Sequence, residues 1–64
     1  MTEHLLRAAK ARHEDTLKRA TTALREMSQA GEPITFVAVA RRAGISTDFL
    51  YSTPALRARI IELR

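Results

Sequence analysis

The sequence predicts an all-α domain of about four helices, and three observations carry that prediction. The 64 residues contain only two glycines and two prolines, which divide the chain cleanly into segments. Within the segments, apolar residues recur three and four apart, the spacing of one helix face. No alternation of β-branched and polar residues runs long enough to compete as a strand. At this length the chain makes one domain at most, 1–64, with a small core.

The first helix is predicted over about 3–30, with Thr2 as a candidate N-cap. Leu17, Ala20, Leu24 and Met27 share one face of its second half. Carried backwards, the same stripe meets His13, Lys10 and Leu6. The stretch from Thr16 to Ala30 is therefore expected to dock, and the part before it to project or fray. Gly31 suits the C′ position, where a left-handed conformation is needed.

The second helix is predicted over 36–43. Thr35 stands ready as N-cap, and Ile34 with Val39 has the spacing of a hydrophobic staple. Phe36, Val39, Ala40 and Ala43 form its inward face, and Arg41 and Arg42 fall on the other side. Gly44 ends it. The third helix, 46–53, begins at Ser46, a good N-cap. Phe49, Leu50 and Thr53 turn one way; Thr47, Asp48, Tyr51 and Ser52 turn the other. Pro54 stops this helix and starts the fourth, 54–64, with Thr53 as cap and proline at N1. Leu56, Ile60 and Leu63 give that last helix its stripe, with Arg57, Arg59 and Arg64 on the polar side. Because the stripe runs to the final residue without a cap, a continuation, for example into a coiled coil, is an expectation.

The segment 36–53 has the layout of a helix-turn-helix. A steep helix crossing needs a small residue, supplied by Ala40; the tight turn needs a residue that tolerates positive φ, supplied by Gly44. Ile45 and Leu50 anchor the second helix from behind, leaving its other face free to enter a DNA major groove. An ordinary helical hairpin with a glycine cap would share these features. Composition points the same way as the motif. Eleven Lys and Arg, nine of them arginine, oppose seven Asp and Glu for a net charge of +4, and arginine's planar fork suits phosphate.

The run 34–46 (ITFVAVARRAGIS), followed by Phe49, Leu50 and Tyr51, resembles the N-terminal DNA-binding domain of tetracycline-repressor-type regulators. It is more similar to a family of accessory transposition proteins that accompany tyrosine recombinases in site-specific bacterial transposons. There, a segment like 49–57 (FLYSTPALR) leads into a long C-terminal helix or coiled coil. The repressors usually place an aromatic-proline-serine-lysine stretch after the tyrosine, whereas here Tyr51 leads directly to Pro54. The resemblance covers about the last forty residues. It implies double-stranded DNA as partner, near recombination ends, with a tyrosine recombinase or transposase as a second partner.

The candidate DNA-contacting residues are Arg41, Arg42, Ser46, Thr47, Asp48, Tyr51 and Ser52. Arg41 and Arg42 either clamp the DNA backbone or form a solvated face. Ser46 and Thr47 either meet phosphate or serve the helix start alone. Tyr51 either donates its hydroxyl to phosphate or is a half-buried ring with a wet tip. Asp48 either stabilises the helix start through the dipole or accepts a hydrogen bond from a cytosine amino group.

An enzyme is not expected. His4 and His13 are nine residues apart, no cysteine is present, Glu14 and Asp15 point to different sides of a helix, and no glycine-rich phosphate loop occurs. No metal or cofactor is expected. Met1 to Ala11 lacks the apolar run of a signal peptide, and no stretch suits a membrane span. A soluble cytoplasmic protein, in bacterial company by the resemblance, is the expectation. The alternative is a helical protein-interaction module: positions 6, 10, 13, 17, 20, 24 and 27 follow heptad spacing. In that reading the first and fourth helices pair with other copies, as a weak homodimer, or dock on a recombinase.

Overall fold

The computed structural model describes the backbone of residues 2–64 and the side chains of residues 7–64. The Thr2 cap, His4 and Leu6 of the sequence reading lie outside the described side chains. Four helices follow in order: α1 (Thr2–Gln29), α2 (Phe36–Ala43), α3 (Thr47–Ser52) and α4 (Pro54–Leu63). No strand occurs among the described residues. Predicted and observed bounds differ by a residue at a few ends, where caps begin and end the helical bonding.

The chain turns where local chemistry demands it. After α1, Gly31 takes φ 71°. Its amide donates to Ser28 O at 3.2 Å, and the Glu32 amide donates to Met27 O at 2.9 Å. These two bonds form a Schellman closure of the helix. At the start of α2, Thr35 is extended and its hydroxyl accepts the Ala38 amide at 3.0 Å. Ile34 and Val39 then enter the same core cluster, as the staple requires. Gly44 takes φ 70°, and both its amide and that of Ile45 donate to Ala40 O. Two residues later Ser46 accepts the Phe49 amide at 3.3 Å. Ile45 and Leu50, at N′ and N4, form a second staple behind α3.

The core draws on all four helices. Ala20, Leu24 and Met27 of α1 meet Phe36, Val39 and Ala40 of α2, Leu50 of α3, and Leu56 and Ile60 of α4, with Ile34 from the connection. Leu50, Ile60 and Val39 are fully buried, each contributing about 1.5–3 kcal/mol relative to exposure. No polar or charged residue is buried among the described residues, so the core carries no unpaired group to offset that gain. Helix α1 packs on α2 and α4, while α3 packs on both α2 and α4.

Two packing details differ from the sequence reading. Ala43, expected inside, is only half-buried, while Ala23, absent from the predicted stripe, is buried. Both line one shallow hollow with Glu26 and Arg42, so α2 crosses α1 over this flank. Thr53 occupies the cap position of α4, but its hydroxyl turns back to donate to Phe49 O at 2.7 Å. The Leu56–Ile60–Leu63 stripe is largely covered within the domain, with Leu63 half-buried. The first half of α1 projects, one of the two expectations for it: it continues as helix with residues 7–15 exposed. At about 1.5 Å per residue, a 28-residue helix accounts for the long molecular dimension of 45 Å.

Candidate nucleic-acid interface

The outward surface of the helix-turn-helix is set by what lies behind it. Leu50 is fully buried, so the residues on the opposite side of α3 must face solvent. Asp48, Tyr51 and Ser52 are exposed, Ser46 is exposed at the start, and Thr47 is half-buried. With its side chains an α-helix such as α3 is about 10–12 Å across, which suits entry into a groove about 12 Å wide.

Several of these side chains have intramolecular roles. The Ser46 hydroxyl accepts the Phe49 amide and keeps its own proton for donation. Ser52 donates to Asp48 O at 2.8 Å, with Phe49 O at 3.4 Å as a second acceptor. Its oxygen retains lone pairs on the exposed side. Asp48 stands at N2 of α3, where a carboxylate is favoured by the dipole. The Tyr51 ring stacks on Phe36, centroids 4.0 Å apart and planes 10° apart. This ring ties α3 to the first residue of α2. It remains 52% exposed.

The two arginines of α2 part company. Arg41, opposite the buried face, is exposed and makes no ion pair among the described residues. Arg42 lies to the side and reaches α1: its guanidinium donates to both carboxylate oxygens of Glu32 at 2.7 and 3.1 Å, and stands 3.9 Å from Glu26. It therefore braces the end of α2 against the end of α1, a role the sequence reading did not give it. The helix C-terminal position of both arginines also favours them through the dipole.

Sequence reasoning placed Arg57 only on a polar helix side. In the fold it lines a shallow hollow with Tyr51, Pro54, Ala58 and Ile61. It is exposed and makes no ion pair among the described residues. The Thr53–Pro54 corner brings the first turn of α4 beside the end of α3, and no periodicity within either helix encodes that. Ile61, on the same hollow, is 48% exposed.

Among the described residues no group of three or more His, Cys, Asp or Glu could hold a metal ion. No described helix is long and apolar enough to cross a membrane. The model of DUF6262, a family of unknown function, matches residues 1–64. No curated protein and no solved structure matches the chain.

Proposed function

The chain belongs to the DUF6262 family, and from its geometry we propose that it is a DNA-binding module, either an accessory factor in transposition and recombination or a compact transcription regulator. One observation carries this reading: a short helix, capped and anchored from behind by Leu50, presents Asp48, Tyr51 and Ser52 to solvent. In this mechanism α3 enters the major groove. Arg41, Arg57 and the Tyr51 hydroxyl neutralise or hydrogen-bond phosphates, which fixes register without reading sequence. Ser46 donates to phosphate beside the helix start, and Thr47, Asp48 and Ser52 face the base edges. Arg42 contributes indirectly by holding α2 in place. The net charge of +4 supplies long-range attraction. No catalytic role is assigned, and the site of action is the cytoplasm.

The test is a fluorescence titration of the whole chain against random and transposon-end duplexes at several salt concentrations. Binding that weakens linearly in log salt, with a preference for one duplex class, supports the reading. No binding even at low salt ends it.

The exposed apolar surface of Tyr51, Pro54, Ala58 and Ile61 favours a second reading, a protein-interaction module that docks on a recombinase or on another copy. Sedimentation of the chain alone separates self-association from docking. A tight dimer would favour this second reading.

A further inference from the structure

The four helices pack in a ring, α1 on α2, α2 on α3, α3 on α4 and α4 on α1. The seam between α1 and α4 therefore lies across the domain from the helix-turn-helix. A groove follows this seam. Its lining runs from Thr21 to Gln29 on α1 and from Ala55 to Leu63 on α4, about 12 Å along each helix. Leu24, Leu56 and the half-buried Leu63 give it an apolar floor. Arg25 stands on one wall and Arg59 on the other, and both are exposed. Arginine stems cover apolar surface while the charged heads stay in water. No described Asp or Glu lines the groove. Arg25 has no acid three or four residues to either side and makes no ion pair among the described residues. Arg59 meets Glu62 at 3.4 Å, with both side chains more than half exposed. Such a pair is weak and exchanges its carboxylate readily.

We propose that this groove docks an acidic amphipathic helix of a partner protein, with apolar anchors on the floor and an Asp or Glu on each flank. The proposal goes beyond the DNA-binding reading and does not depend on it. Length and charge together select the occupant. Anchors at i, i+3 or i+4, and i+7 span about 10.5 Å of one helix face, which matches the groove and is the spacing that helix-in-groove docking reads. Cations on both walls call for acids on both flanks. Duplex DNA fits poorly, because phosphates would lose water against the leucine floor without a partner there. A second copy also fits poorly. In the exposed overhang of α1, residues 7–15, Glu14 lies four residues from both Lys10 and Lys18. Asp15 lies three residues from Arg12 and pairs with Arg19 at 3.1 Å. Of the other helices, α2 has no acid and α3 and α4 have one each. Docking in this groove leaves the outward face of α3 open.

The test titrates the full, isotope-labelled chain with two stapled peptide helices and follows the backbone amides by NMR. Each peptide has about 14 residues, stapled because a free helix this short is marginal in water. Both carry leucine anchors at the stated spacing; one has glutamate on both flanks, the other lysine at the same places. The glutamate helix should saturate and shift the amides of 21–29 and 55–63, and the lysine helix should not. Arg25→Gln and Arg59→Gln should each weaken binding about two- to fivefold, and together about tenfold. Lys10→Gln with Arg12→Gln removes the same charge from the overhang and, with screening at physiological salt, should change binding by less than about twofold. Far-UV circular dichroism checks that the variants keep their helix content. Equal losses in the two double variants overturn the proposal, because they would reflect net charge. So do equal binding of both peptides, no binding, or shifts that map elsewhere. Random duplex DNA that shifts the same amides would assign the groove to nucleic acid, and concentration-dependent shifts there in the free protein would assign it to a second copy; either result overturns the proposal.

Discussion

Replacing Gly44 should separate conformational strain from crowding at the turn that aims α3. Its backbone sits at φ 70° and ψ 39°, where an L-residue costs about 1–2 kcal/mol. The space that a Cβ would occupy is open, with no heavy atom within 4 Å, so no steric term adds to this. A side chain also restricts the unfolded state, which returns about 0.4–1 kcal/mol. Gly44→Ala should therefore destabilise by about 1 kcal/mol, a shift in melting temperature of about 4–8 °C for a domain of this size. Substituting D-alanine, which prefers positive φ, should do the opposite and stabilise by about 0.4–1 kcal/mol. Chemical synthesis gives both epimers, and circular-dichroism melts followed at the helix band compare them with wild type. The epimer order is the decisive result. A D-alanine protein melting below its L-alanine counterpart would refute the left-handed assignment of Gly44. An L-alanine protein melting with wild type would show that the turn relaxes freely, and that α3 is not aimed by this residue.

Three further outcomes follow from the packing and the charges. Leu50→Ala, at a fully buried position, should lose about 2–5 kcal/mol, against a total of about 3–10 kcal/mol for a chain this short; an unchanged melt would mean that Leu50 is not a core residue. The two α2 arginines should divide by assay: Arg41→Ala should lower the salt slope of DNA binding by about 0.9. Arg42→Ala should act through stability, where a double-mutant cycle with Glu32→Ala gives a coupling of about 1 kcal/mol or less, since the pair is exposed. If Arg42→Ala alone flattens the slope, its pairing with Glu32 does not persist on DNA. Asp48→Asn should lower the melting temperature slightly, through about 0.3–1 kcal/mol of lost dipole interaction, and should tighten binding to all duplexes. A loss of preference at one base pair would assign it to cytosine instead, and uniformly weaker binding would contradict both roles.

Much of the fold was legible because its signals are local. A threonine or serine cap acts on the amide three residues ahead, as Thr35 does on Ala38 and Ser46 on Phe49. A C-terminal glycine closes onto carbonyls up to four residues behind it, and Pro54 restricts its immediate neighbour. Such interactions are written within a few positions of chain, and α2 was predicted with the bounds it has. The stripe of Leu17, Ala20, Leu24 and Met27 gave the docked face of α1, because periodicity reports which side is apolar.

The way the helices cross could not be read in the same way. Periodicity identifies a face but not the element that covers it, so only the tertiary structure decided four things about the candidate site. It placed the Tyr51 ring on Phe36 and brought Arg57 beside Tyr51. It set the His13 ring beside Phe49, which links the overhang of α1 to α3. It also turned Arg42 onto Glu32 and Glu26, ten and sixteen residues away in sequence, while Arg41 makes no ion pair among the described residues. Charges alone gave no sign of that division, because two adjacent arginines differ only in their angle around one helix. That angle acquires meaning once another helix lies against one side of it.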